Sequence, residues 1–247
     1  MLPCGDGIFS QEWGAPSARA VFCWHGAGGS AEDFATIGPE LADRLGVRVL
    51  AIDGPGHARS PSRPPEAFRP SALAWLATEI LDELGVERCV FLGFSWGATV
   101  GCWFAASNPE RALGLALVEG GHIDFADIPG FDADRPLDKL VSDAEAFAAT
   151  EGTAFGSHTP AVAGAMIHGL CREPGTATFR RLAAAGVPVL FVGARQDEPS
   201  AEVERLSRLV PQTEVVELAS SSHDLLRDSP AEVARAVGDW LEALPSG

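Results

Sequence analysis

Short, almost wholly apolar runs alternate with amphipathic stretches along most of this chain. Ala18–His25 (ARAVFCWH) is one such run and ends in a glycine cluster; Val47–Asp53 (VRVLAID) is another, closed by Gly54-Pro55-Gly56. Apolar runs bounded by turn residues mark strands buried on both faces. Between them, Ala31–Leu45 sets Phe34, Ile37, Leu41 and Leu45 at helical spacing, with Ser30 available as N-cap. Ser71–Gly85 does the same with Leu73, Leu76, Ile80 and Leu84, and Gly85 stops it. Strand Arg88–Phe94, helix Trp96–Ser107 and strand Ala112–Glu119 follow without long loops. This alternation predicts an α/β fold: a mostly parallel sheet with helices on both faces.

After Gly120-Gly121 the rhythm breaks, and residues 122–186 contain helical or irregular segments but no convincing strand. Strand Val187–Val192, helix Ala201–Val210, strand Glu214–Leu218 and helix Ala231–Leu244 then restore it. An excursion this long that returns to the same sheet is no plain connection. The expected organisation is a core of residues 1–121 and 187–247 with a helical cap at 122–186.

Composition changes this picture mainly by exclusion. At 247 residues, a chain buries about 70–75% of its unfolded surface, enough for one sizeable core. The 18 Lys and Arg stand against 34 Asp and Glu, a net charge of −16. Such a field repels polyphosphate and anionic headgroups, so neither nucleic acid nor a membrane surface is an expected partner. Lys139 is the sole lysine, so no glycine-rich loop carries the lysine of a P-loop. Residues 89–109 are uncharged and long enough to span a bilayer. However, Gly93, Gly97, Gly101 and Asn108-Pro109 favour strand, turn and buried helix. Five cysteines without a Cys-x-x-Cys pair, and a start lacking a basic, then apolar, leader, predict free thiols and a cytoplasmic location.

The candidate chemistry centres on Gly93-Phe94-Ser95-Trp96-Gly97, a G-x-S-x-G sequence between an apolar strand and a helix. A serine exposed on a strained strand-to-helix turn needs small neighbours two positions before and after it. A nucleophilic serine also needs a base, and the base an orienting acid. His223 lies just past the last strand and Asp197 just past the preceding one, at the carboxyl edge where open parallel sheets form their sites. The chain order Ser95, Asp197, His223 matches one known ordering of a catalytic triad. Glu119 and Asp124 remain alternative acids, since either could reach a histidine from a neighbouring strand end.

Taken together, His25-Gly26-Ala27-Gly28-Gly29, Asp53 to Ser60, the Ser95 turn, the Asp197 loop and Ser222-His223-Asp224 resemble an α/β-hydrolase with a helical cap over nearly the whole chain. The resemblance implies an oxyanion hole from the backbone N–H groups of Ala27 and Trp96. Within it, His25 and His57 are loop-holding residues, and Trp24, Trp96 and His122 are candidate pocket residues. It also implies a serine esterase acting through an acyl-enzyme, with no metal or organic cofactor; no His-Glu-x-x-His helix or zinc-spaced Cys/His cluster is present in the sequence. Residues 122–157 hold eight carboxylates against Arg135 and Lys139, a field favouring neutral esters or lactones over acyl-coenzyme A. Thioester or C–C bond hydrolysis could use the same triad, and a non-hydrolytic ligand-binding relative could keep it. A rival class rests on Gly26-Ala27-Gly28-Gly29-Ser30-Ala31, which satisfies G-x-G-x-x-G/A, with Asp53 placed as a ribose-binding acid. That reading predicts a dinucleotide-binding oxidoreductase and leaves the Ser95 turn unexplained.

Overall fold

The computed structural model describes residues 7–121, 132–151, 156–173, 175–195, 201–220 and 222–245. The apolar runs become strands β2 (Ala20–Trp24), β3 (Arg48–Ile52), β4 (Cys89–Phe94), β5 (Ala112–Val118), β6 (Val189–Ala194) and β7 (Thr213–Leu218), joined by an N-terminal β1 (Ser10–Trp13). The sheet order is β1-β3-β2-β4-β5-β6-β7. β1 runs antiparallel to β3, and every other neighbouring pair is parallel.

Successive residues of a strand face opposite sides, and here they divide between two cores. Val21, Val49, Val90 and Leu190 pack under α1 (Ile37–Leu45) and α9 (Pro230–Ala243). Phe22, Leu50, Phe91 and Leu115 pack under α2 (Pro70–Glu83) and α3 (Trp96–Ser107). The uncharged stretch 89–109 is β4 followed by α3. Among the described residues no helix is long and apolar enough to cross a membrane.

Between β5 and β6 lie α4 (Leu137–Glu151), α5 (Pro160–Arg172) and α6 (Thr176–Ala185). α4 packs on α5, while α6 lies on α3 and contributes Phe179 and Leu182 to the core beneath the sheet. α7 (Ala201–Leu209) leads into β7, and a single turn, α8 (Leu225–Asp228), precedes α9.

Three departures from the predicted elements have local causes. The helix expected over Ala31–Leu45 is split into a 3-10 turn, Ala31–Phe34, started by the Ser30–Asp33 capping box and ended by Ala35 N–H bonding Glu32 O, and α1. β6 begins two residues later than expected because Pro188, which has no N–H, supplies only its carbonyl to Leu115. β1, sequence Ser-Gln-Glu-Trp, has no apolar signal. It is held by its register with β3 and by Glu12, whose carboxylate accepts from Arg48 Nε at 3.1 Å and Nη2 at 3.0 Å.

Candidate active site

Ser95 sits between β4 and α3 with φ 51° and ψ −113°, a strained backbone for a side-chain-bearing residue. Its glycine neighbours make that turn possible. A Cβ on Gly93 would lie 2.5 Å from the Ala98 Cα, and one on Gly97 would lie 2.2 Å from the Trp24 carbonyl oxygen. The Ser95 N–H continues the ladder to Val118 O at 2.8 Å, and the Ser95 carbonyl accepts from Ala98 N–H at 3.1 Å. Across a planar trans peptide the next N–H points the opposite way. The Trp96 N–H, the first of α3 and without an acceptor inside the helix, is therefore directed away from the helix.

His223, in the turn after β7, brings Nε2 to 2.9 Å from Ser95 Oγ and Nδ1 to 3.3 Å from Glu119 Oε2. Glu119 follows β5 directly, its N–H bonded to Val192 O at 2.9 Å. Its φ is 47°. Its second carboxylate oxygen accepts from the Ala194 N–H at the end of β6. A Cβ on Gly120 would lie 2.2 Å from Ser95 O, so the glycine lets this strand end press against the serine turn. With Nδ1–H donated to the carboxylate, Nε2 is left as acceptor for the serine hydroxyl. The imidazole is largely exposed and the carboxylate is not, with side-chain exposures of 62% and 17%. Asp197, favoured as the acid from its strand position, and Asp124 lie outside the described residues, as does His122. The sequence signal for Glu119 was a strand-end carboxylate followed by two glycines.

The loop Gly26–Gly29 lies against the serine: a Cβ on Gly26 would come 3.1 Å from the Ser95 Cβ. His25 organises this loop, donating from Nδ1 to Gly26 O at 2.7 Å and accepting the Gly54 N–H on Nε2 at 2.7 Å. Both bonds need a neutral ring, and burial lowers its pKa to about 4. The Gly26 carbonyl also accepts from Gly29 N–H at 3.1 Å, which turns the Ala27 N–H to the other side of its peptide, where Ala27 is exposed. His57 donates Nδ1 to Pro55 O at 2.9 Å, and burial lowers its pKa to about 3. Its ring stacks on Trp96, with centroids 5.5 Å apart.

Two expectations are corrected. Asp53 is fully buried, and its carboxylate accepts from Ala31 N at 2.8 Å, Arg59 N at 3.1 Å, Arg59 Nε at 2.6 Å and Arg59 Nη2 at 3.0 Å. Saturated in this way it cannot receive a ribose, and the dinucleotide reading loses its defining acid. Trp24, expected in the pocket, is fully buried and packs edge-on to Trp96 at 6.1 Å; the Trp96 indole is itself 4% exposed. Both rings are core beneath the site, because the inward face of β2 and the first turn of α3 leave them no outlet. Among the described residues, no group of three His, Cys, Asp or Glu is placed to hold a metal.

This arrangement can deprotonate a serine hydroxyl and stabilise negative charge beside it. A family model described as the alpha/beta hydrolase fold matches residues 19–162. A 2-hydroxy-6-oxononadienedioate/2-hydroxy-6-oxononatrienedioate hydrolase of Pseudomonas putida is 36% identical over 106 residues, 42% of this chain and 37% of that protein. An sn-1-specific diacylglycerol lipase of Danio rerio is 33% identical over 95 residues, 38% of this chain and 29% of that protein. The chain thus matches well under two thirds of the length of these relatives. Among solved structures, a thermophilic esterase from Thermogutta terrifontis superposes with TM-score 0.81 at 22% identity, covering 96% of this chain and 93% of that one. An enol-lactonase from Burkholderia xenovorans LB400 superposes with TM-score 0.73 at 17% identity, covering 95% and 96%.

Proposed function

Because the chain belongs to the alpha/beta hydrolase family, we propose that it is a cofactor-independent serine hydrolase cleaving a carboxylic ester or lactone of a small to medium, neutral substrate. The observation that carries this reading is His223 Nε2 at 2.9 Å from Ser95 Oγ with Nδ1 facing Glu119. Ser95 attacks the carbonyl carbon while His223 takes its proton, and Glu119 holds the imidazole in the competent tautomer and stabilises its charge. The oxyanion rests on the Ala27 and Trp96 N–H groups. Collapse expels the alcohol as His223 returns the proton; water then attacks the acyl-enzyme by the same route, freeing the acid and Ser95.

The neutral-ester class draws support from the diacylglycerol lipase named above and from the acidity of residues 122–157. A net charge of −16 weighs against nucleic acid and anionic membrane as partners. In this reading the 122–186 segment is a cap through which a small molecule enters. A reducing, cytoplasmic setting suits Cys23, Cys89, Cys102 and Cys171, which are free and buried.

The test is fluorophosphonate labelling together with p-nitrophenyl butyrate and acyl-coenzyme A hydrolysis, comparing the parent with Ser95→Ala. Labelling and ester turnover that vanish in the variant are the expected result. Labelling that persists removes Ser95 as nucleophile, and a preference for acyl-coenzyme A overturns the neutral-ester class.

A further inference from the structure

The segment just before α5 touches the site's backbone from outside. Ser157 donates its N–H to Gly28 O at 2.8 Å and its hydroxyl to Gly29 O. Its carbonyl accepts from Ala58 N–H at 3.0 Å. Gly156 precedes it with φ +56°, and a Cβ there would fall 2.2 Å from Gly28 O. The strap is therefore as close to the glycine loop as a bare backbone permits.

We propose that Ser157 is a positioning residue for the oxyanion hole, setting the direction of the Ala27 N–H through two planar peptides, Gly28–Gly29 and Gly26–Ala27, that a hydrogen bond links across the turn. This rests on the serine-hydrolase reading above. The relay follows from peptide planarity, which makes each C=O oppose the next residue's N–H. With Gly28 O fixed on Ser157 N–H, the Gly29 N–H faces the other way, where it meets Gly26 O at 3.1 Å. With Gly26 O held there and by His25 Nδ1, the Ala27 N–H must face the opposite way. In parallel, Gly29 O on the Ser157 hydroxyl turns Ser30 N–H toward Asp33 Oδ2 at 3.2 Å, which ties the far end of the loop to its capping box. Three glycines in four residues would otherwise let these peptides rotate, since glycine has little preference for the sign of φ. Gly28 already has φ +76°. His158 adds a packing contact on the Trp96 side: its ring stacks on His57 at 4.7 Å, and His57 stacks on the Trp96 indole.

The test compares the parent with Ser157→Ala, Ser157→Thr and Gly156→Ala, with Ser95→Ala as control. Active sites are counted by exhaustive fluorophosphonate titration, and kcat, KM and the inhibition constant of a phenylboronic acid, whose tetrahedral adduct uses the oxyanion hole, are measured per titrated site. A donor displaced by about 1 Å costs on the order of 10²-fold in rate. Ser157→Ala keeps the N–H that holds Gly28 O but frees Gly29 O, on the residue whose own N–H meets Gly26 O, so we expect kcat per site to fall about tenfold; Gly156→Ala, which pushes the whole strap off Gly28 O, should lose about a hundredfold. KM should stay within about twofold, boronate binding should weaken by the same factor as kcat, and Ser157→Thr, which keeps the hydroxyl, should stay near the parent. Parental kcat in Ser157→Ala overturns the proposal. So does a loss carried by KM with boronate binding unchanged, or one that Ser157→Thr fails to restore. Should Gly156→Ala not fold, the Ser157 pair decides alone. Undiminished labelling and turnover in Ser95→Ala instead removes the nucleophile, a failure of the underlying reading that the Ser157 variants cannot mimic.

Discussion

Glu119 Oε2 and His223 Nδ1 lie 3.3 Å apart although 104 positions separate them in the chain. The contact exists because β5 and β7 flank β6 in the sheet, so their carboxyl ends converge over the end of the strand between them. The other Glu119 oxygen is anchored on that middle strand, at Ala194 N–H. The Glu119 carboxylate is thus held from both sides.

Glu119→Gln keeps the side chain's size and can still accept from Ala194, but it loses the charge that favours the Nδ1–H tautomer and its protonated form. The expected result is a fall in kcat of about 10³–10⁴-fold with little change in KM, as when a triad acid is made an amide. Asp197→Asn should cost far less. Steady-state ester hydrolysis by both variants checks this; the reverse ranking would assign the acid role to Asp197.

Gly97→Ala tests the packing that holds the serine turn. Its Cβ would stand 2.2 Å from the Trp24 carbonyl and 2.6 Å from that of His25, both backbone atoms of a central strand and its continuation. Relief requires moving β2 or α3, so the variant should lose about 3 kcal/mol or more of stability and yield little soluble protein. Urea unfolding monitored by circular dichroism gives the number. A loss below about 1 kcal/mol would mean that the turn relaxes freely.

Acid should destabilise the fold through His25 and His57. Burial lowers their pKa values to about 4 and about 3 from the ordinary 6.5. Below pH 6.5 the unfolded chain binds protons that the folded chain refuses, so stability rises with pH across the window and is lost as pH falls from about 6.5 toward about 4 and 3. Asp33 opposes this: burial raises its carboxyl to about 6 from 3.8, so its contribution strengthens as pH falls through 6. Two histidines against one carboxyl leave a net loss. The thermal midpoint should drop between pH 7 and pH 5, less steeply in His57→Phe, which keeps a stacking ring without a titrating nitrogen. Equal slopes in parent and variant would remove His57 from the linkage.

Ser95 and His223 could be found from sequence because each lies at a strand end marked by turn residues, and the G-x-S-x-G spacing is itself a packing requirement. The approach of Glu119 to His223 depends on lateral distances and backbone direction, including the positive φ at Glu119, which no pattern of residue types encodes; Asp124 and Asp197 lie outside the described residues. β1 was hidden for a different reason. Only one of its four residues, Trp13, is apolar and packs against the core, too short a signal to read as a strand, and Arg48, 36 positions away, supplies much of what fixes Glu12 there. Asp53 shows the converse: the G-x-G-x-x-G/A pattern was present, but Arg59 had already claimed the carboxylate.

The proposed nucleophile, acid and base follow β4, β5 and β7, and β7 is the last strand of the sheet in chain order. A chain still being synthesised, or cleaved ahead of β7, therefore holds a strained serine with no base to activate it. Parallel pairings of distant segments are also slow to form. Recovery of ester turnover during refolding should lag behind recovery of helical signal, which makes enzymatic activity a clock for the docking of the final strand.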